Sequence, residues 1–65
     1  MEREQMNKIK QLRKDRGLTQ QQLADSLGIT LFMVRTYEQG NRMPPLNVAL
    51  ALAKYLGTSV EEIFG

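Results

Sequence analysis

Apolar residues recur along this chain at helical spacing, and no stretch alternates as a strand would. Ile9 and Leu12 give one inward face to a segment from about Glu4 to Arg16, which Gly17 ends. Leu23, Ala24 and Leu27 share one face of a second segment, about Gln20 to Leu27. Thr19 stands just before it, where a hydroxyl can accept from an orphan N–H. Gly28 follows, suited to the left-handed conformation that turns a chain at little cost. Thr30 can cap a third segment, about Leu31 to Gln39, whose inward residues are Val34 and Tyr37 and which Gly40 stops. A loop with two prolines leads to a fourth segment, about Pro45 to Leu56, with Pro45 in a first turn that does not need its missing N–H. Gly57 ends that helix. Thr58 or Ser59 can cap a fifth, through about Phe64, with Val60, Ile63 and Phe64 packing back. Glu61 and Glu62 fall in its first turn, where the macrodipole favours anions.

The predicted fold class is therefore all-α, a compact five-helix bundle in one domain of 65 residues. The expected core is Ile9, Leu12, Leu18, Leu23, Ala24, Leu27, Ile29, Val34, Tyr37, Leu46, Ala49, Leu52, Ala53, Leu56, Val60 and Ile63. Helices this short are marginal alone in water, so the shared core must hold them.

Two short helices joined tightly at Gly28 form a unit that can carry its second helix into the major groove of DNA. The residues in register are Gly17-Leu18-Thr19-Gln20, Leu23-Ala24, Gly28-Ile29-Thr30, Val34, Tyr37-Glu38, Gly40 and Pro44. They continue through Leu46, Leu52-Ala53, Leu56-Gly57 and the run Val60 to Phe64. On these positions the chain, from about Ile9 onward, resembles the phage-repressor-like helix-turn-helix family, also called the xenobiotic-response-element type. The resemblance implies a lambda-repressor-like DNA-binding fold, with the second and third helices (19–39) as the helix-turn-helix and double-stranded DNA as partner. It also implies a structural ion pair between Arg13 and Glu38, which fall on the family's positions for one. An Arg–carboxylate pair of this kind can be bidentate and partly buried, orienting the first helix against the third.

Composition narrows the alternatives. With no Cys, disulfides and Cys-based metal sites are excluded; with no His, a zinc finger is excluded and the commonest general base is missing. There is no glycine-rich phosphate loop and no evident pocket of paired carboxylates. No enzyme, metal site or cofactor is expected. No apolar run nears the roughly 20 residues of a membrane span, and the N-terminus lacks a signal peptide's apolar centre, so the cytoplasm is the expected compartment. The formal net charge is +2, but residues 5–54 carry eight Lys or Arg against Asp15, Asp25 and Glu38, between acidic ends. A positive body suits a polyanion. Charge alone fits an ordinary solvated surface equally well.

Phosphate contacts position a protein on DNA and base contacts specify sequence. The phosphate candidates are Gln20 and Thr19 at the start of the second helix, Thr30 at the start of the third, and Asn41 and Arg42 in the loop after it. Arg16 and Lys10 are secondary candidates that read equally as solvated charge. For bases, the outward face of the third helix carries Leu31, Phe32, Arg35, Thr36 and Gln39, the last four at i, i+3, i+4 and i+7. The resemblance places Leu31, Phe32 and Thr36 where family members touch base edges. Arg35 suits a bidentate contact to guanine, and Gln39 one to adenine or a phosphate.

The chain departs from the family where Leu31-Phe32-Met33 replaces the usual polar start of that helix. Three readings stand: contact with thymine methyls, a protein interface, or partial burial. Burial is expected of Leu31 and Met33, and methyl contact of Phe32. Family members commonly dimerise on half-sites about one helical turn apart. A weak homodimer, or a dimer formed on DNA, would here use Thr58, Val60, Glu61 and Phe64, with Leu50 and Tyr55 exposed nearby or completing the core. A repressor is expected, since no second domain is seen to recruit polymerase or sense a ligand. The competing function is a protein-interaction module, an antirepressor or antitoxin-like partner, built on Leu31-Phe32-Met33.

Overall fold

The computed structural model of the chain describes residues 7–65. Among the described residues five helices follow one another: α1 Ile9–Asp15, α2 Gln20–Leu27, α3 Leu31–Gln39, α4 Leu46–Leu56 and α5 Val60–Phe64. Capping residues set most of these boundaries. The Thr19 hydroxyl accepts from the Gln22 N–H at 3.0 Å while the Gln22 side chain accepts from the Thr19 N–H at 2.9 Å, a complete capping box. Thr30 caps α3 through the Met33 N–H, and Ser59, rather than Thr58, caps α5 through the Glu62 N–H. Gly28 takes the left-handed conformation at φ 70°, and the Ile29 N–H beyond it returns to the Ala24 carbonyl, closing α2.

Three boundaries differ from expectation, the first being the end of α1 at Asp15, with Arg16 as its C-cap. The first helix begins at Ile9, not Glu4; residues 4–6 lie outside the described residues, and Asn7 and Lys8 are not helical. Both backbone and side chain are committed elsewhere at this point. Asn7 Oδ1 accepts from the Ile9 N–H at 3.0 Å and Asn7 Nδ2 donates to the Tyr37 carbonyl at 2.8 Å. The Lys8 N–H donates to the Ile63 carbonyl at 3.0 Å, so the entry to α1 is stitched to both α3 and α5. The fourth helix starts one residue late, with Pro45 as its extended N-cap.

Ile9, Leu23, Ala24, Val34, Tyr37, Leu52, Ala53, Leu56 and Ile63 form one buried cluster drawn from all five helices. Ala49 is also buried, and Leu12, Leu18, Leu27, Ile29 and Val60 close the edge, joined by Met33, Val48 and Phe64. One expected core residue is a correction: Leu46 is 71% exposed. It extends the spacing of Ala49 and Leu52 backwards, but it is the first residue of α4, where the chain emerges from the loop and no described element covers it. Pro44 is buried in its neighbourhood instead. The helix α2 packs on both α3 and α4, α4 on α5, and α1 on α3. Ala24, fully buried, supplies the small side chain that close helix packing needs.

Candidate nucleic-acid interface

The second half of α3 is held from behind. Arg13, on α1, donates through Nε to Glu38 Oε2 at 2.5 Å and through Nη2 to Oε1 at 3.4 Å. Its Nη1 donates to the Leu18 carbonyl at 2.7 Å. The two side chains are 8% and 4% exposed, so the pair is buried, with the guanidinium shared between a carboxylate and a chain carbonyl. Burying two charges gives little net stability, but removing either partner would strand the other without compensation. The pair therefore fixes α3 relative to α1 and to the α1–α2 link.

Gln20 joins this arrangement. Its Nε2 donates to Glu38 Oε1 at 2.9 Å, and its Oε1 accepts from Arg35 Nε at 3.3 Å. A continuous path of hydrogen bonds thus runs from α1 through Glu38 to the first residue of α2 and back to α3. The sequence alone marks Gln20 as a phosphate candidate and carries no local sign of either bond.

The outward residues of α3 divide. Phe32 is 71% exposed while Leu31 and Met33 are half-buried, Met33 against the core, as the partial-burial reading expects. Arg35 and Gln39 are exposed. Thr36 is a correction to the outward face: it is 8% exposed, and its hydroxyl donates to the Phe32 carbonyl at 2.9 Å. A threonine hydroxyl in mid-helix can satisfy itself on the i−4 carbonyl in this way. Thr19 and Thr30 are exposed, and their hydroxyls serve as caps. Asn41 and Arg42 are exposed in the loop beyond α3, with Asn41 Nδ2 donating to Gln39 Oε1 at 3.0 Å.

Lys10 is exposed on α1. Arg16 lies against the α4–α5 junction: a Cβ on Gly57 would stand 2.7 Å from its Nη1. Of the residues considered for self-contact, Thr58, Val60 and Phe64 are half-buried and Glu61 is exposed. Leu50 and Tyr55 are exposed rather than completing the core, together with Met43 and Leu46. Asn7 is the polar residue that sequence reading missed. Its signal was an N-cap-type side chain standing just before Ile9 and Leu12.

Among the described residues no group of three or more acidic, His or Cys side chains could hold a metal ion. No described helix is long and apolar enough to cross a membrane.

A capped helix, a left-handed glycine turn and a second capped helix with an exposed outer face define a helix-turn-helix DNA-binding protein. The helix-turn-helix family profile matches residues 9–63, and the chain belongs to this family in its phage-repressor-like, xenobiotic-response-element form. It is 38% identical over 58 residues to an uncharacterized HTH-type transcriptional regulator of Methanocaldococcus jannaschii, covering 89% of this chain and 88% of that one. The regulator YgzD of Bacillus subtilis, also uncharacterized, is 34% identical over the same shares. The cryptic phage CTXphi transcriptional repressor RstR of Vibrio cholerae is 33% identical over 57 residues, which span 88% of this chain and 51% of RstR. The chain is a DNA-binding transcriptional regulator of the HTH type.

Proposed function

We propose that this regulator is a repressor that lays α3 in the major groove of a palindromic operator and occludes a promoter. The observation that carries the reading is the outer face of α3, where Phe32, Arg35 and Gln39 stand exposed beside the capped start of α2. Phosphates on one side of the groove would be held by the N-terminal N–H groups of α2 with Thr19 and the remaining N–H of the Gln20 amide. Asn41 and Arg42 would reach the backbone on the other side, and Thr30 the phosphate nearest the start of α3. Arg35 would read guanine, Gln39 adenine or a phosphate, and Phe32, flanked by Leu31, the methyl of thymine. Identity to a protein named as a transcriptional repressor supports repression.

Dimer formation on a two-fold site is part of the proposal, with Thr58, Val60, Glu61 and Phe64 near the axis. The exposure of Phe32 also favours a second reading, in which Leu31, Phe32 and Met33 hold a protein partner. Selection from a random duplex pool, followed by fluorescence anisotropy at two salt concentrations, separates them. An enriched palindrome bound more weakly at high salt is expected, because phosphate contacts release counterions. No enriched motif would transfer the function of α3 to a protein partner.

A further inference from the structure

Gln20 does more on this surface than start a helix. An ionised carboxylate only accepts hydrogen bonds, so contact with Glu38 Oε1 requires the nitrogen end of the Gln20 amide. That leaves the oxygen end facing Arg35, whose Nε donates to it. The orientation of the amide is therefore dictated by a carboxylate that Arg13 holds in turn through two hydrogen bonds. A guanidinium with its Nε engaged retains both terminal nitrogens, a planar fork matched to the O6 and N7 acceptors of guanine.

We propose that Gln20 is a positioning residue for base recognition: it anchors Arg35 by Nε and presents the Nη1 and Nη2 fork end-on to one guanine in each half-site. The anchor restricts the long side chain before DNA arrives, so less rotamer freedom is lost on binding. It would also favour guanine over adenine, whose N6 amino group would meet a donor where guanine offers the O6 acceptor. This inference rests on the base-reading role of Arg35 proposed above.

The probe is the duplex recovered from the random pool by the wild-type protein, compared with copies in which each guanine in turn is replaced by 7-deazaguanine, which lacks the N7 acceptor. Anisotropy titrations would compare the wild type with Gln20→Ala, Arg35→Ala and the double variant. We expect wild type to lose about tenfold in affinity at one guanine per half-site, and Arg35→Ala to lose nothing further there. Gln20→Ala, which also lacks the amide placed on a phosphate, should bind the unsubstituted duplex more weakly but show a penalty at that guanine at least threefold smaller than wild type shows, and the double variant should show no penalty there, like Arg35→Ala. Gln20→Met, similar in length but without the amide, should repeat the result if alanine loosens the fold. If Gln20→Ala weakens every duplex equally and keeps the full guanine penalty, Gln20 is only a phosphate ligand and the inference is overturned. If Arg35→Ala keeps the penalty, or no duplex is recovered, base reading by Arg35 has failed and the positioning role falls with it.

Discussion

The two halves of α3 are built on opposite principles. Its first turn, Leu31-Phe32-Met33, offers no hydrogen-bonding side chain, and its most prominent residue, Phe32, has no polar anchor. Its second half carries Arg35 and Glu38, each tied to Gln20, with Glu38 tied again to Arg13. The first half can adapt to a surface through shape alone, whereas the second is held at defined angles by hydrogen bonds. In the proposed groove complex this would divide the labour: the apolar turn would contact methyl groups and tolerate small displacements, and the polar turn would read donors and acceptors that demand alignment. It also explains why a buried ion pair sits behind the polar half. A pair with little net stabilising value can still hold a binding surface in one geometry.

The contrast is most severely tested at Glu38. Glu38→Ala leaves the Arg13 guanidinium buried without its carboxylate and should lower unfolding stability by about 3–5 kcal/mol, measured by urea denaturation. In a domain this small that loss is expected to leave a largely unfolded chain. A loss below about 1 kcal/mol, the scale of an exposed pair, would mean that the polar half is not fixed from behind. Arg35→Ala comes next. It should cost about 1–3 kcal/mol of specific binding to the selected duplex while leaving thermal stability unchanged, since Arg35 is exposed. Phe32→Ala is expected to weaken that binding by about 1 kcal/mol, the scale of one buried methyl group, again with the fold intact. Leu46→Ser should change stability by less than about 0.5 kcal/mol. Leu46 stands outside the core and outside both halves of α3, and a larger effect would show that its exposed position is covered in solution.

Short-range patterns carried most of the fold into the sequence. Thr19, Thr30 and the glycine after each helix announce boundaries within three or four residues, and the i, i+3, i+4 spacing names the buried cluster from Leu23 to Ile63. The same spacing misassigned Leu46, because periodicity does not reveal that a first turn lies uncovered. It also set Thr36 outward, because the bond from its hydroxyl to the Phe32 carbonyl is a choice of rotamer and not of residue type. The ion pair between Arg13 and Glu38 was legible only through family resemblance. The bond from Asn7 to Tyr37 spans 30 residues and that from Arg35 to Gln20 spans 15, and no local pattern encodes either. The guanidinium of Arg16 against Gly57 is likewise a product of the assembled fold. What remained hidden in the site was therefore its internal wiring, which depends on which helices meet.

The claim that α3 enters the groove with a methyl-reading turn and a hydrogen-bonding turn is tested most directly by removing the methyl groups. Each thymine of the selected duplex would be replaced in turn by deoxyuridine and titrated against the wild type and Phe32→Ala. The account predicts that one position per half-site weakens wild-type binding several-fold and that Phe32→Ala is indifferent to the same change. If no thymine methyl matters, or if both proteins respond alike, Phe32 does not face the bases, and the apolar turn of α3 must be assigned to a protein partner instead.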